Sequence, residues 1–302
     1  RNKNKLRQND ECLIPAICWS TSLWPIVQAG LKPKFVDVEL NSFNLDLNKL
    51  EKKITSKTKA IIPVSLFGQV AEIDTINEIA DKHKIYVIED GAQSFGATYK
   101  GKKSCNLTTI GTTSFFPAKP LGCYGDGGAI FTNDIEKANI YRSLRVHGQG
   151  IDKYDNVRIG LNSRLDTLQA AILLNKLSIF DEEIEKRNII ASFYIENLKN
   201  ILEVPFISIG NRSSWAQFSV LVKNSKDRNK LLKHLNRKNI PTAIFYKKIF
   251  SDMKIYNELN NEICHFSKDI SERIFSIPMH PYLDKSQLKL IVNTIKEYYS
   301  ND

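Results

Sequence analysis

Ser114-Phe-Phe-Pro-Ala-Lys119-Pro-Leu-Gly-Cys-Tyr-Gly-Asp-Gly-Gly128 is a β-type run that breaks into a glycine-rich loop. Its lysine sits just behind an aromatic strand, ahead of Pro120 and four nearby glycines, which is a poor setting for a solvated surface charge. Partial desolvation there would lower the proton affinity of the amine, and a neutral amine is nucleophilic toward an aldehyde. Such a lysine can hold an aldehyde cofactor as a Schiff base. Taken alone, the stretch reads more simply as a loop lysine closing a hairpin. The rest of the chain decides between the two.

The first half of the chain alternates short β-branched runs with helical patterns. Strands are expected at 13–16, 34–38, 60–64, 86–89, 113–116 and 129–132, with helices at 45–54, 73–83 and 135–144. This alternation predicts an α/β fold with a mostly parallel central sheet covered on both faces. Ligands of such sheets bind at the carboxyl ends of the strands, and both Asp90 and Lys119 stand just past a strand. After Gly160 the pattern changes. Long helices are expected at 165–177 and 181–201. A smaller α+β unit follows, with a strand at 217–222, a helix at 227–238, a strand at 242–245 and a last helix at 285–299. The expected division is a large α/β domain over residues 1–180 and a small C-terminal α+β domain over 181–302.

Hydrophobic content of 42% and charged content of 25% are those of a soluble globular protein, and no apolar run is long enough to cross a bilayer. The N-terminal Arg1-Asn-Lys-Asn-Lys-Leu-Arg has no apolar run behind it, so no signal peptide is read and a cytoplasmic location is expected. Five cysteines without CxxC spacing argue against a disulfide framework, and five scattered histidines without HxxxH argue against a metal site. The net charge of +10 invites a nucleic-acid partner, but the basic residues form no single stripe with interleaved aromatics. The densest basic stretch, 223–238, reads as the solvated face of an amphipathic helix, and an anionic small substrate accounts for the charge equally well.

An electron-withdrawing pyridine cofactor needs more than a lysine. A buried carboxylate must keep the ring nitrogen protonated. Ile88-Glu89-Asp90-Gly-Ala-Gln93 places Asp90 where an apolar strand becomes a small-residue loop, although an Asp before Gly is as often a turn former. Gln93 is suited to the ring hydroxyl and Ser114 to a phosphate oxygen. Trp19 could stack on the ring, though a core aromatic is the commoner fate. Gly125-Asp-Gly-Gly128 does not open a helix in a βαβ unit, which sets aside a dinucleotide loop.

Trp19, Glu89-Asp90-Gly-Ala-Gln93, Ser114-Phe-Phe-Pro-Ala-Lys119 and Gly125-Asp-Gly-Gly128 together resemble the DegT/DnrJ/EryC1/StrS sugar aminotransferases. So do Arg145-Val-His-Gly-Gln149 and the run Gly160-Leu-Asn162-Ser-Arg-Leu-Asp-Thr-Leu-Gln-Ala-Ala171, out to Ser276-Ile-Pro-Met-His-Pro281. The resemblance implies a fold-type-I enzyme that uses pyridoxal 5'-phosphate to move an amino group from glutamate to a nucleotide-linked keto sugar. The motif Lys119-Pro-Leu-Gly-Cys-Tyr most resembles the branch acting on UDP-linked 3-keto sugars for surface polysaccharide such as the O-antigen of lipopolysaccharide. By the same resemblance Lys119 is the catalytic lysine, and Trp19, Asp90, Gln93, Ser114 and Asn162 bind the cofactor. Asn162 reaches it from the neighbouring subunit, which implies a homodimer with shared active sites. His147, Tyr246 and His280 are expected to approach the sugar nucleotide.

The chain departs from the family pattern in two places. The family's Ser-Gly-Thr or Ser-Ala-Thr phosphate motif precedes the segment matching Asp10-Glu-Cys-Leu-Ile-Pro15 and is not in this sequence, which, with no initiating Met, points to an N-terminally incomplete chain. Tyr246-Lys-Lys-Ile-Phe-Ser-Asp252 also lacks the family's Leu-His pair. The nearest rival is the sugar 3-dehydratase branch of the same fold, which carries histidine where this chain has Lys119. A non-catalytic relative that binds a sugar nucleotide is the other alternative.

Overall fold

The computed structural model describes residues 6–256 and 263–300. Its centre is a six-stranded sheet. The strands are β1 (Glu11–Pro15), β2 (Lys32–Val36), β3 (Thr58–Ile61) and β4 (Tyr86–Asp90), then β7 (Ile110–Ser114) and β8 (Gly128–Phe131). They lie in the order β2-β1-β3-β4-β7-β8. All neighbours run parallel except the last pair, where Ser114 faces Gly128 in an antiparallel register. The short pair β5 (Thr98–Tyr99) and β6 (Lys102–Lys103) forms a separate hairpin.

Every residue of β1 is buried, as a central parallel strand covered on both faces must be. Its alternation sorts the core. Leu13, Val36 and Ile61 point to one side, against Ile73, Ile76 and Ala80 of α3 (Ile73–His83) and Leu50 of α2 (Leu47–Leu50). Cys12, Ile14, Phe35 and Ala60 point to the other side, against Phe250, Ile270 and Ile274 from the C-terminal part of the chain, with α1 (Trp24–Gln28) contributing Ile26. Helix α4 (Ile135–Leu144) follows the edge strand, and α5 (Thr167–Leu177) leads into the long α6 (Phe180–Leu198). The first turn of α6 places Phe180 and Ile184 against Phe115, Leu121 and Cys123. Its second half places Ile190, Tyr194 and Leu198 in a cluster with β9 (Phe218–Leu221), β10 (Ile274–Ile277), α7 (Ser225–Arg237) and α9 (Lys285–Ser300).

The six strands expected in the first half of the chain all form, beginning up to three residues earlier than the pattern predicts. The basic stretch 223–238 folds as α7, which buries Leu231 and Leu235 and leaves most of its cations outward. The strand expected at 242–245 does not form; Ala243 makes a single bridge to Ser276. Pro241 has no N–H to offer a ladder, and the chain must leave the sheet to carry Tyr246 toward Gln93. Helix α8 (His265–Arg273) and strand β10 have no counterpart in the sequence pattern. No helix among the described residues is long and apolar enough to cross a membrane.

Candidate active site

Four parallel strands deliver side chains to one end of the sheet. Past β1 come Trp19 and Ser22, past β3 comes Phe67, at the end of β4 stand Asp90 and Gln93, and past β7 come Ser114 and Lys119. This is the carboxyl edge, where such sheets bind ligands.

Asp90 is held by two donors from different directions. Ser22 Oγ donates to its Oδ2 at 2.5 Å, and the Ala92 amide donates to Oδ1 at 3.0 Å. Gln93 is 5% exposed and engaged at both ends of its amide. Its Oε1 accepts from the Phe67 amide at 2.6 Å, and its Nε2 donates to the Tyr246 hydroxyl at 2.9 Å. One Nε2 hydrogen remains for a further acceptor. The Tyr246 ring stands 6.0 Å from that of Trp19, tilted by 31°. Burial pushes the Tyr246 phenol up, and the nearby Asp90 carboxylate adds to the effect, so it stays protonated at neutral pH. Trp19 is 54% exposed, an unusual state for an indole so close to the core and a suitable one for stacking on a flat ligand.

Lys119 lies in the connection between β7 and β8, so the hairpin reading and the reactive-lysine reading describe one loop. The loop is tied down by backbone hydrogen bonds of 2.8 Å from Lys119 to Phe116, from Cys123 to Phe115 and from Phe115 to Gly127. Gly122 is required there, since a Cβ would stand 2.5 Å from the Pro117 carbonyl. The loop half-buries the Lys119 side chain, and burial lowers the proton affinity of its amine, opposed in part by the Asp90 charge. Ser114 closes β7 with its hydroxyl accepting from the Phe116 amide at 3.2 Å.

Trp19, Asp90, Gln93, Lys119 and Tyr246 are thus linked by hydrogen bonds, ring contact or charge, and Ser114 sits at the base of the same loop. Asn162, His147 and His280 make no hydrogen bond or ring contact with these five residues. Asn162 is exposed and bridges to Val146, on an arm that also carries His147. The His147 Nε2 faces Arg164 at 3.3 Å. His280, exposed beside Arg187, takes the Tyr282 amide at 3.3 Å on Nδ1, and burial and the Arg187 charge lower its proton affinity. A cleft of about 1100 Å³ opens elsewhere, along β7 and β8 between Phe95, Phe131, Lys103 and Arg142, and its lining includes none of the five linked residues. Its size does not make it the site, because it gathers no comparable set of reactive groups. Ser22 escaped the sequence reading. Nothing distinguishes it from Ser20 in Trp19-Ser-Thr-Ser22 until the fold brings Asp90 beside it.

Residues 2–296 match the DegT/DnrJ/EryC1/StrS aminotransferase family, and the chain belongs to it. It is an aminotransferase. It is 47% identical over 283 residues to the UDP-2-acetamido-2-deoxy-3-oxo-D-glucuronate aminotransferase of Pseudomonas aeruginosa, covering 93% of this chain and 77% of that protein. The dTDP-3-amino-3,6-dideoxy-alpha-D-galactopyranose transaminase of Aneurinibacillus thermoaerophilus is 39% identical over 96% of this chain and 79% of its own. A crystal structure of a family member from Brucella abortus superposes with a TM-score of 0.93 at 40% identity, covering 98% of this chain and 81% of that one.

Proposed function

We propose that this protein transfers the amino group of glutamate to C3 of a UDP-linked 3-keto sugar, with pyridoxal 5'-phosphate held on Lys119. The observation that carries the reading is a half-buried lysine of lowered proton affinity within the field of an oriented carboxylate, Asp90, beside an exposed indole. The donor set fits the cofactor. Asp90 suits a protonated ring nitrogen, the spare Nε2 hydrogen of Gln93 suits a ring hydroxyl, Trp19 offers a flat apolar face, and Ser114 offers a hydroxyl for phosphate. When bound, the cofactor supplies an electron sink for the carbon that loses or gains a proton. Asp90 sustains that sink by keeping a positive charge on the ring. Lys119, released as a neutral amine, is placed to carry the proton between carbon atoms. The 47% identity to a UDP-3-oxo sugar aminotransferase supports the choice of nucleotide and ring position, and the second relative's name also specifies a 3-amino sugar. Lys119 itself disfavours the 3-dehydratase alternative.

The reading includes a cytoplasmic homodimer serving surface-polysaccharide synthesis. Five buried and unpaired cysteines suit a reducing compartment. Ile151, Tyr154, Ile159 and Leu161 on the arm, with Leu168 and Leu174 of α5, are exposed apolar residues of the kind a second copy covers. Asn162 stands among them, so its expected service to the cofactor would be given across that interface.

The test is a visible spectrum of purified protein with added pyridoxal phosphate, before and after borohydride, beside Lys119→Ala. Borohydride should fix the cofactor on Lys119, glutamate should bleach the band beforehand, and nitrogen-15 from labelled glutamate should appear in a UDP-linked sugar. Fixation elsewhere, or a band that glutamate leaves unchanged, would count against the reading.

A further inference from the structure

We propose that Ser22 is a positioning residue for Asp90, fixing the rotation of the carboxylate that faces the cofactor ring. The inference rests on the pyridoxal phosphate reading above. Asp90 could turn about its Cβ–Cγ bond if it were held by one donor only. Here each oxygen has its own, the Ser22 hydroxyl at 2.5 Å on Oδ2 and the Ala92 amide at 3.0 Å on Oδ1. The amide belongs to the same turn as Asp90 and moves with it. Ser22 comes from 68 residues away and is 7% exposed, so it is the independent anchor. An ionised carboxylate only accepts, which makes the serine the donor and the bond charge-assisted. A carboxylate held in one orientation is what a protonated ring nitrogen requires.

The position of Ser22 has a second consequence. It ends the short 3-10 turn Ser20–Ser22, which Trp19 precedes. A single turn therefore carries both the indole that stacks on the ring and the hydroxyl that orients the carboxylate at the ring's nitrogen. The stacking face and the hydroxyl that orients the charge are separated by only three peptide units.

The experiment uses the full chain and its Ser22→Ala and Ser22→Thr variants, loaded with pyridoxal phosphate labelled with nitrogen-15 in the ring. The expected result for Ser22→Ala is a ring-nitrogen resonance displaced toward the unprotonated position. It is accompanied by a fall of about tenfold or more in kcat for the glutamate half-reaction, since one hydrogen bond to a charged group is lost. KM for glutamate stays as it was. Ser22→Thr, which keeps a hydroxyl, restores both the resonance and kcat. In cofactor-free protein the carboxyl carbon-13 resonance of Asp90 moves in Ser22→Ala and stays in Ser22→Thr. A drop in kcat with unmoved nitrogen and carbon resonances would overturn the proposal, because it would assign Ser22 to structure alone. Unchanged kcat and resonances in Ser22→Ala would overturn it too. If wild-type protein binds no pyridoxal phosphate, the cofactor reading fails and takes the proposal with it, an outcome distinct from a wild type that binds and a variant that does not change.

Discussion

Asp37→Asn should cost about 1.3–4 kcal/mol of stability, more than the loss of one exposed ion pair. Asp37 is 3% exposed and accepts from Val38, Phe266 and Ser267 amides, from the Ser267 hydroxyl and from Lys49. Phe266 and Ser267 are the second and third residues of α8, at 3.0 and 2.7 Å from the carboxylate, while the helix's own N-cap residue, Cys264, makes no side-chain cap. Asp37 thus caps α8 from a strand end some 230 positions away. Asparagine keeps Oδ1 and turns an NH2 toward the Phe266 amide and Lys49. One amide then has no acceptor, at about 1–3 kcal/mol, and the charge at the helix N-terminus is gone, at about 0.3–1 kcal/mol. Lys49 adds little, being 35% exposed and screened.

Burial alone would push the Asp37 carboxyl up, but the hydrogen bonds of Ser267, Lys49 and Phe266 outweigh it and hold it below the usual range. Stability from a depressed carboxyl is complete above the unfolded value of about 3.9 and is lost as pH falls through the folded value. The gap between wild type and variant should therefore hold from neutral pH down to about pH 4 and narrow below it. Urea unfolding followed by circular dichroism measures the gap, with hydrogen exchange across α8 to detect local loss in a chain of this size. A gap under about 0.5 kcal/mol at pH 7, or one that does not narrow in acid, would refute the reasoning.

Lys119→Met should leave the cofactor-free protein as stable as wild type or more so at neutral pH, because it removes a half-buried ammonium; thermal melts decide this. The sign follows from the lowered proton affinity of Lys119, which disfavours the folded state fully below the folded value, begins to fade as pH rises through it and is gone above the unfolded value. Tyr246→Phe removes the acceptor of the 2.9 Å bond from Gln93 and should lower kcat/KM by about tenfold at most, the worth of one neutral hydrogen bond, measured by steady-state kinetics. Mixing Lys119→Ala with Asn162→Ala subunits should restore about one quarter of wild-type activity. Half the dimers are then mixed, and each mixed dimer has one intact site. No recovery on mixing would mean that the sites are not shared.

The sheet was legible because its signal is local. Each strand of the first half is a short apolar run between turn residues, and Leu13 and Ile14 read as buried whichever face they take. Lys119 and Asp90 were legible as candidates because they interrupt such runs with chemistry that the runs do not need. What the sequence withheld is relational. The 242–245 run has β-type composition but lacks a neighbour along its length, and strand formation is a property of pairs. Helix α8 is short and carries only Phe266 and Ile270 as large apolar residues, so its signal is brief, and its N-terminal cap is supplied by Asp37 from another part of the chain.

Ser22 and Asp37 have the same kind of explanation. Each does its work through hydrogen bonds across a long sequence separation, and each is of a type common in loops and turns for unrelated reasons. A sequence reading weighs a residue by its neighbours in the chain, which here are Thr21 and Val38, and neither says anything about a carboxylate or a helix end. The same limit explains the unequal fate of the residues expected at the site. Trp19, Asp90, Gln93 and Lys119 follow strands directly, so the sheet alone brings them together. Asn162, His147 and His280 sit on exposed segments that do not follow a strand of the six-stranded sheet. Asn162 is the one of the three expected to act from a second copy, which is why the mixed-subunit measurement is built on it.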